Sequence, residues 1–436
     1  MTPAARLSAA IEVLAAIDAQ RVPASNALKD WGAAHRFAGS GDRAAIAGLV
    51  FDVLRRRASS AWLMDDETPR ARLLGMLKLE RGLDADAVAA LCDGGRFAPE
   101  PLTDAERAAL TSRTLIDAPA HVAGDYPEWL DPQLAAVFGD ARVEEATAMA
   151  SRAPLDLRVN TLKAKREKVQ ASMAHLGAKV TPWSPIGLRI DLGADARNPG
   201  IHSAEDFIKG GVEVQDEGSQ LAALLTGAKP GEQVIDMCAG AGGKTLALAA
   251  MMQGKGRLIA TDHDKRQLAP IHERLSRAGI HNADVRTPKG PDDTLSDIKA
   301  SADLVVIDAP CTGTGTWRRN PDAKWRIRPG ALEVRIKDQI AVLDRAASLA
   351  KPGGRIAYIT CSVLPQENNE QVRGFVSRHP EFTVTPPSQV ASVLWDKAED
   401  FAAATLQSPE GLLMTPRRTG TDGFFVSILR LTAAGR

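Results

Sequence analysis

Two short stretches carry residue types that can do chemistry. Asp308-Ala309-Pro310-Cys311-Thr312-Gly313 follows the apolar run Leu304-Val305-Val306-Ile307, and Thr360-Cys361-Ser362 follows Ile356-Ala357-Tyr358-Ile359. Free cysteine is usually buried, but thiols set among Gly, Thr and Ser beyond strand ends are expected to be accessible. A thiolate is a strong nucleophile, and a carboxylate beside it can bind or share a proton. Because a free thiol has a pKa of about 8.5, an attacking cysteine needs nearby positive charge or dipoles, for which Lys244 and Arg318 are candidates. The other two cysteines, Cys92 and Cys238, are expected to be packed. No Cys-x-x-Cys pair occurs, which argues against a zinc site or a disulfide framework, and no metal is expected.

A glycine-rich turn adds a binding function. Val234-Ile235-Asp236-Met237 reads as a strand, Leu246 to Met252 as a helix, and Cys238-Ala239-Gly240-Ala241-Gly242-Gly243-Lys244-Thr245 joins them. Such a turn lets a ligand approach the backbone. A Walker A loop needs glycine where Cys238 stands, and the dinucleotide fingerprint needs one where Thr245 stands, so neither motif fits. What remains is a glycine loop followed, about twenty residues on and after the next strand, by Asp262, whose carboxylate can accept bonds from both ribose hydroxyls. A nucleoside without phosphates satisfies this arrangement. S-adenosyl-L-methionine is the expected cofactor, bound by Cys238 to Lys244, Asp262 and Asp308. The plainer alternative is that Asp262 or Asp264 only caps the helix starting near Lys265.

These residues need elements that hold them together. From Val212 onward short apolar strands alternate with helices: Gln233 to Met237, Arg257 to Thr261, Ala283 to Arg286, Asp303 to Ala309, Arg355 to Thr360 and Phe424 to Leu431. That alternation predicts an α/β domain over 211–436, a mostly parallel sheet covered on both faces with ligands at the carboxyl ends of its strands. Upstream, Leu7, Ile11, Leu14, Ile17 and Ala45, Ile46, Leu49, Val50, Val53, Leu54 recur at helical spacing, predicting an all-α domain over 1–140. Prolines between Arg96 and Pro132 suggest a connector and a boundary. Over 141–210, the strand-like Leu155–Val159, the helical Ala164–Leu176 and the alternating Leu188–Leu192 suggest a small α+β unit.

Composition sets the class. The 436 residues hold 44% hydrophobic and 25% charged residues, close to globular averages, and 54 basic residues balance 54 acidic ones, so any nucleic-acid site must be local. The first residues lack a charged start, apolar run and cleavage site, and no long apolar stretch occurs. A cytoplasmic monomer without a membrane partner is expected.

A thiol and a carboxylate sharing one cleft suit methylation at carbon 5 of cytosine. That carbon is too weak a nucleophile to attack a methyl sulfonium, but thiolate addition at carbon 6 makes an enamine that can. Asp308 could hold N3 and the exocyclic amine as charge develops. A base must then remove the carbon 5 proton before the thiol leaves.

At this point the sequence closely resembles the RsmB/Sun-type (NOL/NOP/Sun) family of RNA cytosine-5 methyltransferases. The matching stretches are Val214 to Leu221, the Cys238-to-Thr245 loop, Asp308-Ala309-Pro310-Cys311, Arg318 to Asp322 with Trp325, Thr360-Cys361-Ser362 and Gly420-Thr421-Asp422-Gly423-Phe424-Phe425. Leu155 to Leu162 resembles the family's small RNA-recognition-like subdomain, and Gly41 to Arg56 its NusB-like helical domain. The resemblance implies a class I, Rossmann-like methyltransferase domain with Cys361 as nucleophile and Cys311 as the thiol that helps release product. It also implies that Asp262 binds ribose and that Lys244 lies beside the catalytic cleft. DNA cytosine methyltransferases use the Pro-Cys thiol as nucleophile instead, so the second cysteine decides between the two. The family usually has Pro where Ala241 stands, and an Asp for the adenine amino group where Lys289 stands, with Asp292 or Asp293 as substitutes.

A basic run follows the first thiol: Arg318, Arg319, Lys324, Arg326, Arg328, Arg335 and Lys337, against Asp322 and Glu333. With Trp317 and Trp325 interleaved, it suggests phosphate contacts and base stacking. Arg318, Arg319, Lys324, Arg326 and, upstream, Arg158 are the candidate RNA contacts. The target base must be unstacked, so RNA with an accessible cytidine is the expected partner, ribosomal RNA being favoured by the NusB-like part. A tRNA cytosine-5 methyltransferase and a non-catalytic RNA-binding factor are the alternatives, and the latter has no need of Cys361 and Asp308.

Overall fold

The computed structural model describes residues 1–193, 199–288 and 294–432, which divide into two compact units. The first is Met1–Ala153 joined by Trp317–Arg328, and it is helical. Its helices Pro3–Gln20, Ser40–Arg55 and Pro69–Leu79 bury Leu7, Leu14, Ile46, Val50, Val53 and Leu74 in one core, as their three- and four-residue spacing requires. Thr2 and Thr68 cap two of these helices by accepting from Ala5 N and Ala71 N, each with proline at the first helical position. The expected connector between Arg96 and Pro132 is corrected by the same logic. Asp104–Ser112 is a helix inside it, while Pro119, Pro127 and Pro132 stand at the starts of short helices, where a missing N–H costs nothing. The unit therefore continues to Ala153.

The second unit contains two sheets. The smaller runs β2-β3-β1-β4 and is antiparallel, built from β1 (Leu155–Val159), β2 (Lys179–Val180), β3 (Gly187–Ile190) and β4 (Val212–Val214). The larger contains β5 (Gln233–Asp236), β6 (Arg257–Thr261), β7 (Ala283–Arg286), β8 (Ala302–Asp308), β9 (Ala350–Thr360), β10 (Phe382–Val384), β11 (Leu406–Ser408), β12 (Gly411–Met414) and β13 (Phe424–Leu431). Its order is β11-β12-β13-β9-β8-β5-β6-β7, with β10 also on β13. Strands β5 to β9 pair in parallel and β13 runs antiparallel to β9. In β8, Leu304, Val305, Val306 and Ile307 are fully buried, as a parallel strand covered on both faces must be. This is a doubly wound, Rossmann-like α/β architecture, with antiparallel strands on one edge. Among the described residues no helix is long and apolar enough to cross a membrane.

Candidate active site

Strand order reverses at β5, which has β6 on one side and β8 on the other, so the loops after β5 and β8 open a crevice there. A cavity of about 300 Å³ fills it, lined by Gln215, Ser219, Cys238 to Ala241, Gly243, Lys244, Asp262, His263, Gln267, Asp308 and Pro310. Gly242, the remaining loop glycine, has φ +86°, and a Cβ there would lie 2.5 Å from Ile271 Cγ1, so only glycine lets the turn enter the helix Gly243–Met251.

The two aspartates after β6 divide the roles that sequence left open. Asp264 caps Lys265–Leu268 by accepting from Arg266 N, whereas the buried Asp262 lines the cavity and accepts from Gly240 N at 2.8 Å. Behind the loop, burial pushes Asp236 up to about 7, and Thr245 Oγ1 donates to it. Burial, with Asp236, Asp262 and Asp308 around it, pushes the Cys238 thiol well up, which makes it a lining group rather than a nucleophile.

In the cavity wall, Lys244 Nζ donates to Asp308 Oδ2 at 2.7 Å and lies 5.0 Å from the Phe424 ring centroid. Cys311 follows β8 and Cys361 follows β9, and their half-buried Sγ atoms are 3.4 Å apart. The bond to Cys361 and burial push the Cys311 thiol well above its ordinary value. Either sulfur can be the donor of the pair. Gly315 N donates to Cys361 O, and Gly423 N donates to Gly315 O at 2.8 Å. A Cβ on Gly315 would meet Gly423 O at 2.2 Å, so the close approach of these turns requires both glycines.

The family model for 16S rRNA methyltransferase RsmB/F matches residues 223–430, and that for the ferredoxin-like domain of RsmF/B-like methyltransferases matches 126–197. Ribosomal RNA small subunit methyltransferase B of Cronobacter sakazakii is 33% identical over 318 residues, covering 71% of this chain and 68% of the relative. The chain belongs to the RsmB/F methyltransferase family. A probable ribosomal RNA small subunit methyltransferase B of Synechocystis is 32% identical, and the matched stretch spans 66% of its length, just under two thirds. In fold, the crystal structure of PH0851 superposes with a TM-score of 0.72 at 24% identity, covering 98% of this chain and 99% of that one.

Within this RsmB/F chain, the structure gathers Lys244, Asp262, Asp308, Cys311 and Cys361 at the strand ends. It does not leave all the expected RNA contacts at the surface. Arg158 is buried, donating from Nε to Gln215 Oε1 at 2.6 Å and from Nη2 to the Gly243 carbonyl. Lys324 is buried in the helical unit and donates to Arg55 O, Arg55 in turn donates to Arg318 O, and Arg318 itself is buried. Trp317 is buried and Trp325 Nε1 donates to Leu54 O at 2.6 Å, so both indoles pack instead of offering faces to bases. Much of the expected basic patch is therefore a packing segment, while Arg319 and Arg326 retain solvent exposure. Cys92 is buried in the helical core as expected. Lys289, Asp292 and Asp293, the positions of the adenine expectation, lie outside the described residues. The residues that sequence reasoning missed are Gln215, Ser219, Gln339, Glu367 and Asn368. Gln215 and Ser219 stood within the Val214-to-Leu221 stretch that carried the resemblance, whereas Gln339, inside the helix Pro329–Ala347, and Glu367 and Asn368 gave no local signal.

Proposed function

We propose that this chain is an S-adenosylmethionine-dependent RNA cytosine-5 methyltransferase acting on ribosomal RNA. The observation that carries the reading is the thiol pair, Cys311 and Cys361 at 3.4 Å, next to the Lys244–Asp308 ion pair. The relatives' names support ribosomal RNA as the substrate. We read the helical unit as NusB-like and, with the small sheet, as the part that selects RNA, with Arg319 and Arg326 among its contacts.

The cavity suits an uncharged ribose and adenine better than phosphates. Lys244, the cation in its wall, is already paired with Asp308, and Asp262 presents a carboxylate to hydroxyl groups. The loop Cys238 to Gly243 with Asp262 would hold the cofactor. S-adenosylmethionine, when bound, supplies an electrophilic methyl group. Cys361, once its thiol proton has passed to water, adds through sulfur to carbon 6 of the cytosine, and the ring electrons move to carbon 5. Asp308, steadied by Lys244, accepts from the exocyclic amine and relays a proton from water to N3 as charge develops there, and N3 gives it back when the carbon 6–sulfur bond breaks. After methylation the carbon 5 proton passes to water, the ring double bond re-forms and the carbon 6–sulfur bond breaks. Cys311 S–H donates to the departing sulfur of Cys361.

The test is methyl transfer from labelled cofactor to RNA, DNA and protein, with adducts read on a denaturing gel. Cys361→Ser should abolish transfer and form no adduct, whereas Cys311→Ala should transfer once and stay attached to RNA. A trapped band with Cys361→Ser and none with Cys311→Ala would reverse the assignment.

A further inference from the structure

Cys361 stands directly at the end of β9, so the sheet itself sets its place. Cys311 does not have that support. It lies beyond β8 in a turn entered through Pro310, which has no N–H to pair, and something else must fix it. The turn Pro365–Glu367 supplies that hold. Glu367, fully buried, accepts at Oε1 from Thr312 N at 2.8 Å and from Gln339 Nε2 at 3.1 Å, and at Oε2 from Thr312 Oγ1. Gln339 Nε2 also donates to Pro310 O at 2.9 Å. The residues before and after Cys311 are thus tied to one carboxylate and its amide partner. Tyr358 Oη, from within β9, donates to the Glu367 backbone carbonyl at 2.7 Å and anchors that residue's main chain to the sheet.

We propose that Glu367 is a positioning residue for Cys311, holding its thiol against Cys361 and thereby governing product release rather than methyl transfer. This rests on the two-thiol reading above. Three donors converge on the carboxylate, and a carboxylate accepts all three without presenting a hydrogen of its own, whereas an amide would turn N–H groups towards donors. Burial pushes Glu367 up, and the converging donors oppose that shift. Its charge adds to the contact with Cys361 and to burial in pushing the Cys311 thiol up.

The neighbouring Asn368 serves the other turn: it accepts from Thr360 Oγ1 and donates to Ser362 O, the two residues flanking Cys361. Cys361 is therefore held mainly by β9 and Asn368, with the Ser362 hydroxyl also facing Glu367, whereas both flanks of Cys311 are tied to Glu367 and Gln339. Loosening Glu367 should leave attack intact and disturb only the step that needs both sulfurs.

The experiment follows covalent protein–RNA bands over time, using the full chain, a small-subunit ribosomal RNA transcript and S-adenosylmethionine. Glu367→Gln, Thr312→Val and Cys311→Ala are compared with wild type. Thr312→Val removes one hydroxyl while preserving shape, so it decides the matter if Glu367→Gln does not fold. The expected result is that both variants form the adduct at close to the wild-type rate and release it about tenfold to a hundredfold more slowly. Release at the wild-type rate, or adduct formation lost in proportion to turnover, overturns the proposal while Cys311→Ala still traps. If Cys311→Ala itself fails to trap, the two-thiol reading falls instead.

Discussion

Lys244 Nζ lies 2.7 Å from Asp308 Oδ2, and both members of this ion pair line the nucleoside-sized cavity. The lysine is buried and the carboxylate is a third exposed, so Lys244 is anchored while Asp308 keeps an open edge for a ligand. Replacing Lys244 with Met leaves that carboxylate without its charge-assisted donor at the moment it must share a proton. Single-turnover methyl transfer should fall by about 10²–10³-fold. Calorimetry of cofactor binding, run alongside, separates a loss of affinity from a loss of chemistry, because Lys244 also lines the cavity. An unchanged rate in Lys244→Met would remove the lysine from the chemistry.

The division of labour between Asp262 and Asp264 is open to an equally direct comparison. Asp262→Ala should weaken S-adenosylmethionine binding by about 2–3 kcal/mol, since it removes a pair of charge-assisted bonds. Asp264→Ala removes only a helix cap, which should lower stability by about 0.5–2 kcal/mol and leave binding alone. Calorimetry paired with thermal melts separates the two, and equal binding losses would contradict the assignment.

Much of this site was legible in the sequence because its residues sit at strand ends. Strands β6, β7 and β13 run as their apolar patterns predicted, and a parallel order then brings Asp262, Asp308, Cys311 and Cys361 to one edge. The basic run after Cys311 misled because charge patterning does not reveal burial. Lys324 and Trp325 read as surface groups until Arg55 O and Leu54 O are seen to accept from them. Pro119 and Pro127 misled in the same way, since a proline that starts a helix and one that ends it look alike locally. Glu367 could not be found at all: its partners Thr312 and Gln339 come from other segments of the chain.

The packing of Trp325 predicts a stability effect rather than a binding effect. Its ring packs on the helical core, Arg57 lies over it at 5.6 Å, and its Nε1 serves Leu54 O. Trp325→Ala should lower stability by about 3–5 kcal/mol in urea denaturation. A change below about 1 kcal/mol would mean that the ring is not part of the core. The same contacts bear on truncation: a fragment beginning near Tyr126 lacks Leu54, Arg55, Ser59 and Asp125. Its loss of RNA selection would therefore mix lost contacts with an unpacked Trp317–Arg328.

Lys324 makes a pH-dependent prediction within the same segment. Burial lowers its pKa from 10.5 to about 7, helped by Arg56 and Arg55 and opposed by Asp125. Asp125 is itself buried, accepting from Ala58 N, Ser59 N and Ser59 Oγ. In the folded chain Lys324 gives up its proton near pH 7, while in the unfolded chain it keeps it until about 10.5, so across that window the unfolded state binds more protons. Stability must then rise with pH between 7 and 10.5, by on the order of 5 kcal/mol at most, and its contribution is lost as pH falls through 7. Lys324→Met removes this slope and leaves the titrations common to both proteins. Urea denaturation at pH 7 and pH 9.5 should therefore show wild type gaining on the variant as pH rises. Parallel curves would mean that Lys324 is already neutral, or still fully charged, throughout that range.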